Sequence, residues 1–98
     1  MFARVTGFQI KEGEVEAAIN AYRDNIIPSR HLRKGSQGGY LLIDHKTGKG
    51  IVISFYTGEE YHGIANNESQ FEEKKKIFKS HFASPHVDIG LYEVCTEG

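Results

Sequence analysis

Histidine is the residue type best suited to bind a metal ion or to move a proton near neutral pH. The chain has five of them: His31, His45, His62, His81 and His86. No two have the two-residue or i,i+4 spacing that places metal ligands together on a strand or a helix, although His81 and His86 lie close enough in sequence to converge. The spacing favours histidines at the surface or at helix ends, and we predict no metal site.

Tyr22 and His81 are the side chains with the best prospect of chemistry. A polar tip that is buried without a partner costs about 1 to 3 kcal/mol, so its presence needs a reason. If both line an apolar cavity, His81 can act as a base and Tyr22 as a hydrogen-bond donor toward a phenol or an enol. We take these two as the candidate catalytic residues.

An aromatic wall for a planar ligand is available from both predicted helices and one strand. Its candidate members are Tyr22, Phe55 or its neighbour Tyr56, Phe71, Phe78 and Phe82. The same phenylalanines at helical spacing suit an ordinary core, and burial alone is enough to account for them. Core packing is therefore the favoured interpretation of the phenylalanines, with ligand contact as the alternative.

Four basic residues, Arg30, His31, Arg33 and Lys34, cluster where the first predicted helix ends. They could bind an anionic ligand, or they could offset the negative end of the helix dipole. We favour the second interpretation, which requires no ligand.

Charge and composition argue against several classes of partner. Lys plus Arg number 12 and Asp plus Glu number 13, so the molecule has no overall field to hold a nucleic acid or an anionic membrane. The apolar runs are far shorter than the roughly 20 residues of a membrane helix. The single cysteine, Cys95, excludes an internal disulfide and fits a reducing compartment. We predict a cytoplasmic protein that contacts neither nucleic acid nor membrane and needs no cofactor.

Six elements must position these residues, and the hydrophobic pattern predicts each of them. In chain order they are a strand at 2–10, a helix from about 15 to 27, strands at 40–44 and 51–57, a helix at about 68–82 and a strand at 87–95. Pro28 is expected to end or kink the first helix near Ile27. Residues 35–39 are expected to form a glycine-rich loop, residues 58–66 a short helical approach, and Gly90 a bulge in the last strand.

The order strand, helix, strand, strand, helix, strand is that of the ferredoxin-like βαββαβ arrangement. It predicts an α+β fold in which one antiparallel sheet has both helices on the same face. No repeat, linker or low-complexity stretch divides the chain, so residues 1–98 are predicted to form a single domain.

The sheet face away from the helices is predicted to be apolar as well. Tyr40 and Leu42 alternate with Leu41 and Ile43, and the run 51–56 has the same two-sided apolar pattern. Leaving about five such side chains in water would forfeit on the order of 10 kcal/mol. A second sheet must cover them, and a two-fold homodimer is the commonest way to supply one.

Five local features extend over nearly the whole chain. They are the FARVT first strand, the helix end Ile26-Ile27-Pro28, the glycine-rich GSQGGYLLID stretch, the turn Thr47-Gly48-Lys49-Gly50 and the closing LYEV strand. Together they resemble the dimeric α+β barrel superfamily, and within it the small antibiotic biosynthesis monooxygenase-like domains. The resemblance implies a homodimer whose two sheets close into one barrel, with a ligand cleft between each sheet and its helices.

The resemblance also implies a range of functions. Such relatives include cofactor-free oxygenases of polycyclic phenols and quinones, haem-degrading enzymes and proteins that process signal molecules. The haem-degrading branch uses an Asn in the first strand, a Trp after the third strand and a His on the second helix. Here Gly7 lies near the first place, the chain has no Trp, and Lys74 to Lys76 occupy the middle of that helix. His81 is at best a displaced haem ligand, so haem binding is the least favoured interpretation.

The leading hypothesis is a small homodimer that binds a planar hydrophobic metabolite and acts on it as a cofactor-independent monooxygenase. The candidate catalytic residues are His81 and Tyr22, and the candidate ligand contacts are Tyr22, Phe55, Phe71, Phe78 and Phe82. No catalytic residue of the oxygenases transfers by position, because their assisting Trp and Asn cannot be matched here. The alternative is a non-catalytic ligand-binding or interaction domain of the same fold.

Overall fold

The computed structural model describes residues 1–31, 35–58 and 69–98. In chain order they form strand β1 (Phe2–Gln9), helix α1 (Val15–Ala21), a π-helical turn (Tyr22–Ile26), helix α2 (Ile27–His31), strands β2 (Ser36–Ile43) and β3 (Lys49–Tyr56), helix α3 (Ser69–Lys79) and strand β4 (Asp88–Glu93). The predicted order of strands and helices is confirmed. The predicted helical approach at 58–66 lies, apart from Gly58, outside the described residues.

One antiparallel sheet contains the four strands, in the order β2-β3-β1-β4. β1 pairs along its whole length with β3 and, from Phe2 to Gly7, with β4. This is the predicted ferredoxin-like α+β arrangement, in which β1 and β3 occupy the centre of the sheet. None of the described helices is long and apolar enough to cross a membrane.

The first helical region continues through Pro28, so the proline does not end the helix, which was one of its two predicted effects. The hydrogen-bond pattern changes from π to α at Ile27, whose N–H donates to the Tyr22 carbonyl, and α2 then runs on to His31. Pro28 is thus the second residue of the α-helical segment that follows the π-helical turn. The hydrogen-bond pattern of the helix therefore changes at Ile27, where the sequence predicts that the helix ends or kinks.

Strand β2 begins earlier than predicted, so the glycine-rich stretch is mostly strand and not loop. β2 starts at Ser36, and its pairing with β3 shifts register between Ser36 and Gly39. Gly38, with φ of +83°, lies within that shift. Glycine adopts this left-handed backbone without strain, so the glycines here form an irregularity within a strand.

Gly90 does not mark a bulge, because β4 pairs with β1 in an uninterrupted register in which Gly90 faces Val5. The Tyr92 side chain lies on the same face of the strand, two residues along. A Cβ at Gly90 would lie 2.7 Å from the Tyr92 ring. The glycine therefore makes room for a tyrosine that folds back over the strand.

The core lies between the helices and one face of the sheet. Its buried members are Phe8, Ile10, Ala18, Ala21, Tyr22, Ile26, Phe78 and Phe82. Phe82 was predicted to end the second helix, but α3 ends at Lys79 and Phe82 forms an isolated bridge with Ile10. Both helices contribute to this one core, so both cover the same face of the sheet, as predicted.

The opposite face of the sheet, called here the open face, is apolar and exposed. Tyr40 and Leu42 of β2 are 63% and 49% exposed, Ile51 of β3 is 40% exposed, and Tyr92 of β4 is 59% exposed. Phe55 lies on the same face and meets Tyr40 edge-on, with ring centroids 6.3 Å apart. The two-sided apolar pattern predicted for the middle strands is therefore present.

The turn between β2 and β3 requires glycine at position 48. Gly48 has φ of +78°, and a Cβ there would lie 2.9 Å from the Ile10 carbonyl oxygen. Left-handed backbone costs an ordinary residue about 1–2 kcal/mol, and the close contact adds to that cost. We therefore expect Gly48→Ala to lower the free energy of unfolding by about 2–3 kcal/mol in urea titration.

Gly13 is the matched control for this prediction. Its φ is +81°, but nothing lies within 4 Å of the position a Cβ would take. Gly13→Ala is therefore expected to lose only the backbone part of the cost, about 1–2 kcal/mol. Equal losses for the two variants would contradict the role of the contact with Ile10.

Candidate functional site

A cavity lies beside the core, between the sheet and the helices. Its described lining comes from β1, β3, the π-helical turn, α2, α3 and the start of the last strand. The volume open to the centre of a water molecule is about 90 Å³, whereas one water requires about 10–15 Å³. The space is several times larger than a single water site.

Five aromatic rings line this cavity: Phe8, Tyr22, Tyr56, Phe78 and Phe82. The Phe78 ring meets Phe8 and Phe82 edge-on, with centroids 5.5 Å and 5.1 Å away, and it meets Tyr22 at a tilt at 5.5 Å. Phe8 and Phe82 are stacked at 4.4 Å with an interplanar angle of 6°. Mutual contacts of this kind hold the rings in fixed orientations, so the wall presents flat apolar surface to the cavity.

A buried polar group, called here the Arg30 cluster, consists of Arg30, Tyr22 and Ser54. These residues are 6%, 4% and 8% exposed, and all three line the cavity. One Arg30 amino group, Nη2, donates to the Tyr22 hydroxyl oxygen at 2.6 Å and to the Ser54 hydroxyl oxygen at 3.2 Å. The guanidinium carbon also lies 5.3 Å from the centre of the Tyr22 ring, within the range of a cation–π interaction.

Gly39 gives the Arg30 guanidinium its place against the sheet. A Cβ at Gly39 would lie 2.8 Å from Arg30 Nη1 and would collide with the Ile53 carbonyl oxygen. A side chain at this position would therefore displace the guanidinium, and only glycine leaves room for it.

Tyr22 is a hydrogen-bond donor and not a base at neutral pH. Burial raises the pKa of its phenol above the ordinary 10.0, and this effect outweighs the opposing charge and hydrogen bond of Arg30. The phenol therefore keeps its proton at neutral pH. The Arg30 bond uses only the oxygen of Tyr22, since a guanidinium can donate but not accept.

Solved structures of similar shape share this arrangement of sheet and helices. An antibiotic biosynthesis monooxygenase superposes with a TM-score of 0.79 and 14% identity over 98% of this chain and 100% of that chain. SnoaB, a cofactor-independent oxygenase from Streptomyces nogalater, superposes with a TM-score of 0.81 and 12% identity over 98% and 94% of the two chains. The chain has the antibiotic biosynthesis monooxygenase-like fold.

At these identities the likeness concerns the fold alone. A NIPSNAP domain protein from Burkholderia xenovorans superposes as well, with a TM-score of 0.70 and 10% identity over 99% of this chain and 100% of that chain. No protein-family model matches the sequence, and no curated protein matches it significantly. The predicted resemblance to the monooxygenase-like domains is thus confirmed for the fold, and function has to be argued from the cavity.

His81 lies outside the part of this monooxygenase-like fold that lines the cavity. Its Nδ1 is 2.9 Å from Glu14 Oε1, and its carbonyl oxygen accepts from the Lys11 N–H. The pair joins the segment after α3 to the start of α1. The sequence groups His81 with Tyr22 in one site, but the described structure brings only Tyr22 to the cavity.

The other predicted ligand contacts divide between the two faces of the sheet. Phe78 and Phe82 line the cavity together with Tyr22. Phe55 lies on the open face, because successive side chains of a strand point to opposite faces, and its neighbour Tyr56 takes the position on the cavity side. The side chain of Phe71 lies outside the described part of the structure.

Sequence reasoning missed Ser54, and it considered anion binding by Arg30 but favoured the helix dipole as the explanation. Arg30 was assigned to the helix end with its basic neighbours, but it is buried against the sheet. Ser54 was a detectable signal, since it is the single polar side chain on the helix-facing side of the run 51–56, between Val52 and Tyr56. Within the described residues no three His, Cys, Asp or Glu side chains are grouped to hold a metal ion.

Proposed function

We propose that the protein binds a planar hydrophobic metabolite in the cavity between sheet and helices. The observation that carries this proposal is the wall of five aromatic rings, four of them in mutual contact, beside a buried polar cluster. Ligand sites typically combine an apolar, aromatic lining with a small number of placed polar groups. Flat rings held edge-on and stacked offer contact area that suits a flat ligand.

Binding can be tested by calorimetry with a panel of naphthalene, anthracene and quinone derivatives. We expect at least one class to bind in the micromolar range, and Phe78→Leu to weaken that binding about 10-fold because it removes a ring from the wall. Phe55→Leu is the matched control, since it removes the same ring from the open face. Equal weakening by both variants, or no binding of any compound, would count against the proposal.

The binding unit is proposed to be a homodimer formed through the open face. The supporting observation is the exposed apolar surface of β2, β3 and β4, which includes Tyr40, Leu42, Ile51 and Tyr92. A second copy would bring an identical apolar sheet, and two-fold pairing buries the same patch on both chains. The cavity lies on the other side of the sheet, so pairing leaves its aromatic wall in place.

Oxygenation without a cofactor is the second candidate function. It is supported by the likeness in fold to SnoaB and by the positive charge of Arg30 at the cavity, which would stabilise a phenolate. In such a reaction the ionised substrate supplies the electrons, one oxygen atom of O₂ enters the product and the other leaves as water. Neither Tyr22, which keeps its proton, nor His81, which lies beside Glu14, is placed as the base. The acidity of the substrate beside Arg30 would therefore decide the rate.

Oxygen uptake with a panel of hydroquinones and anthrones separates oxygenation from binding alone. An oxygenase should consume one O₂ for each substrate molecule, more slowly in Tyr22→Phe and at an unchanged rate in His81→Gln. Binding of the same compounds without oxygen uptake would identify a non-catalytic ligand-binding protein.

A further inference from the structure

Several hydrogen-bond donors of the Arg30 cluster have no acceptor among the described residues. Both contacts of Arg30 come from Nη2, which leaves the protons on Nη1 and Nε. The hydroxyls of Tyr22 and Ser54 accept from Arg30 through oxygen, so each keeps its own proton for another bond. No contact within the described residues uses these remaining protons.

Such an excess of buried donors is costly unless water or a ligand accepts from them. Each buried polar group without a partner costs free energy, and a buried charge without an opposite charge costs more. Among the described residues Arg30 makes no ion pair, and no Asp or Glu is among those that line the cavity. The unused donors of the cluster and the positive charge of Arg30 therefore favour a ligand with a negatively charged hydrogen-bond acceptor.

We propose that the ligand is an aromatic anion whose charged oxygen is held by Arg30 and by the hydroxyl groups of Tyr22 and Ser54. This inference rests on the proposed function, because it assigns a charge to the planar ligand of the same cavity. The ring system lies against Phe78 and its neighbours, and the oxygen lies at the end where the Arg30 cluster is buried. A carboxylate or a phenolate supplies the required chemistry.

Three naphthalene probes distinguish these possibilities: 2-naphthoate, 2-naphthamide and 2-naphthol. At neutral pH we expect naphthoate to bind at least 10-fold more tightly than naphthamide, its neutral counterpart of the same shape. If the site takes phenolates, bound 2-naphthol will show the absorbance of its ionised form at a pH where the free compound is neutral. Absence of that absorbance, with naphthoate still preferred, assigns the site to carboxylates.

Variants test whether the Arg30 cluster is responsible. Arg30→Gln is expected to weaken naphthoate binding roughly 10- to 100-fold, and Tyr22→Phe roughly 5- to 10-fold, while naphthamide binding changes little. Lys46→Gln is the matched control, because it removes one positive charge from the exposed β2–β3 turn. If Arg30→Gln does not fold, the double variant Tyr22→Phe with Ser54→Ala provides the test, since it removes two hydroxyls and keeps the charge.

The outcomes separate the two proposals. Naphthamide binding as tightly as naphthoate, or naphthoate binding unchanged in Tyr22→Phe and Arg30→Gln, would overturn the anion and leave the planar ligand standing. Failure of all three probes and of the wider panel to bind the wild-type protein would overturn both.

Discussion

Replacing Phe78 with alanine is expected to lower the free energy of unfolding by about 3–5 kcal/mol. Phe78 is buried, and its ring contacts three others, Phe8, Tyr22 and Phe82. Alanine would remove all three contacts and leave a void that the stacked Phe8–Phe82 pair cannot fill without giving up its geometry. Since small domains are stable by only about 5–15 kcal/mol, the variant should be near its unfolding midpoint at moderate urea concentration.

Ile77→Ala is the control for this result. Ile77 is the neighbouring residue of α3 but is 46% exposed, so its truncation should cost less than about 1 kcal/mol. Urea unfolding followed by circular dichroism measures both variants. A loss below about 2 kcal/mol for Phe78→Ala would mean that the aromatic wall is loosely packed.

Introducing aspartate at Leu42 is expected to convert the proposed dimer to a monomer. Leu42 is 49% exposed on the open face and pairs with Ile51 on the neighbouring strand. In a two-fold dimer the change places two carboxylates in the interface, and an uncompensated buried charge costs several kcal/mol. Light scattering should find twice the 11.0 kDa of one chain for the wild type and a single chain for Leu42→Asp.

Thr47→Asp adds the same charge in the exposed turn after β2 and should leave the dimer intact. A wild-type particle of one chain would contradict the proposed interface directly. A dimer that survives Leu42→Asp would place the interface on another surface. In either case the binding measurements on the cavity would stand, because the cavity is on the opposite side of the sheet.

Strands in which successive side chains point to opposite faces of the sheet could be predicted from the sequence. In β3, the cavity side receives Val52, Ser54 and Tyr56, and the open face receives Ile51 and Phe55, as a period of two requires. Two local features could not be predicted: the helix that continues through Pro28 and the strand that includes the glycine-rich stretch. Proline is compatible with a helix that restarts at Ile27, and a glycine-rich stretch is compatible with a strand that shifts its register. Residue propensities predict neither feature, because both depend on the hydrogen bonds that neighbouring backbone groups make.

The site was predicted less well than the fold for a related reason. Tyr22 and Phe78 could be found because helical periodicity places them on a buried face, whereas Phe82 lies beyond the end of α3 and is buried through its bridge with Ile10. Arg30 was considered for anion binding but not chosen, because a basic residue at a helix end has an adequate explanation in the helix dipole. The burial of Arg30 depends on Gly39 of strand β2, which leaves room for the guanidinium. The residue pattern of a single helix or strand cannot predict such a contact between two elements.

The π-helical turn between α1 and α2 decides the direction in which Arg30 projects. An α-helix rotates about 100° per residue, so eight residues of uninterrupted α-helix would turn about 80° beyond two full revolutions. A π turn takes up one additional residue, so the eight steps from Tyr22 to Arg30 rotate about as far as seven α-helical steps, within about 20° of two revolutions. The two side chains therefore share one azimuth around the helix axis. One residue more or fewer in this turn would rotate every later side chain of the helix about its axis, so the length of the turn decides whether Arg30 faces the cavity.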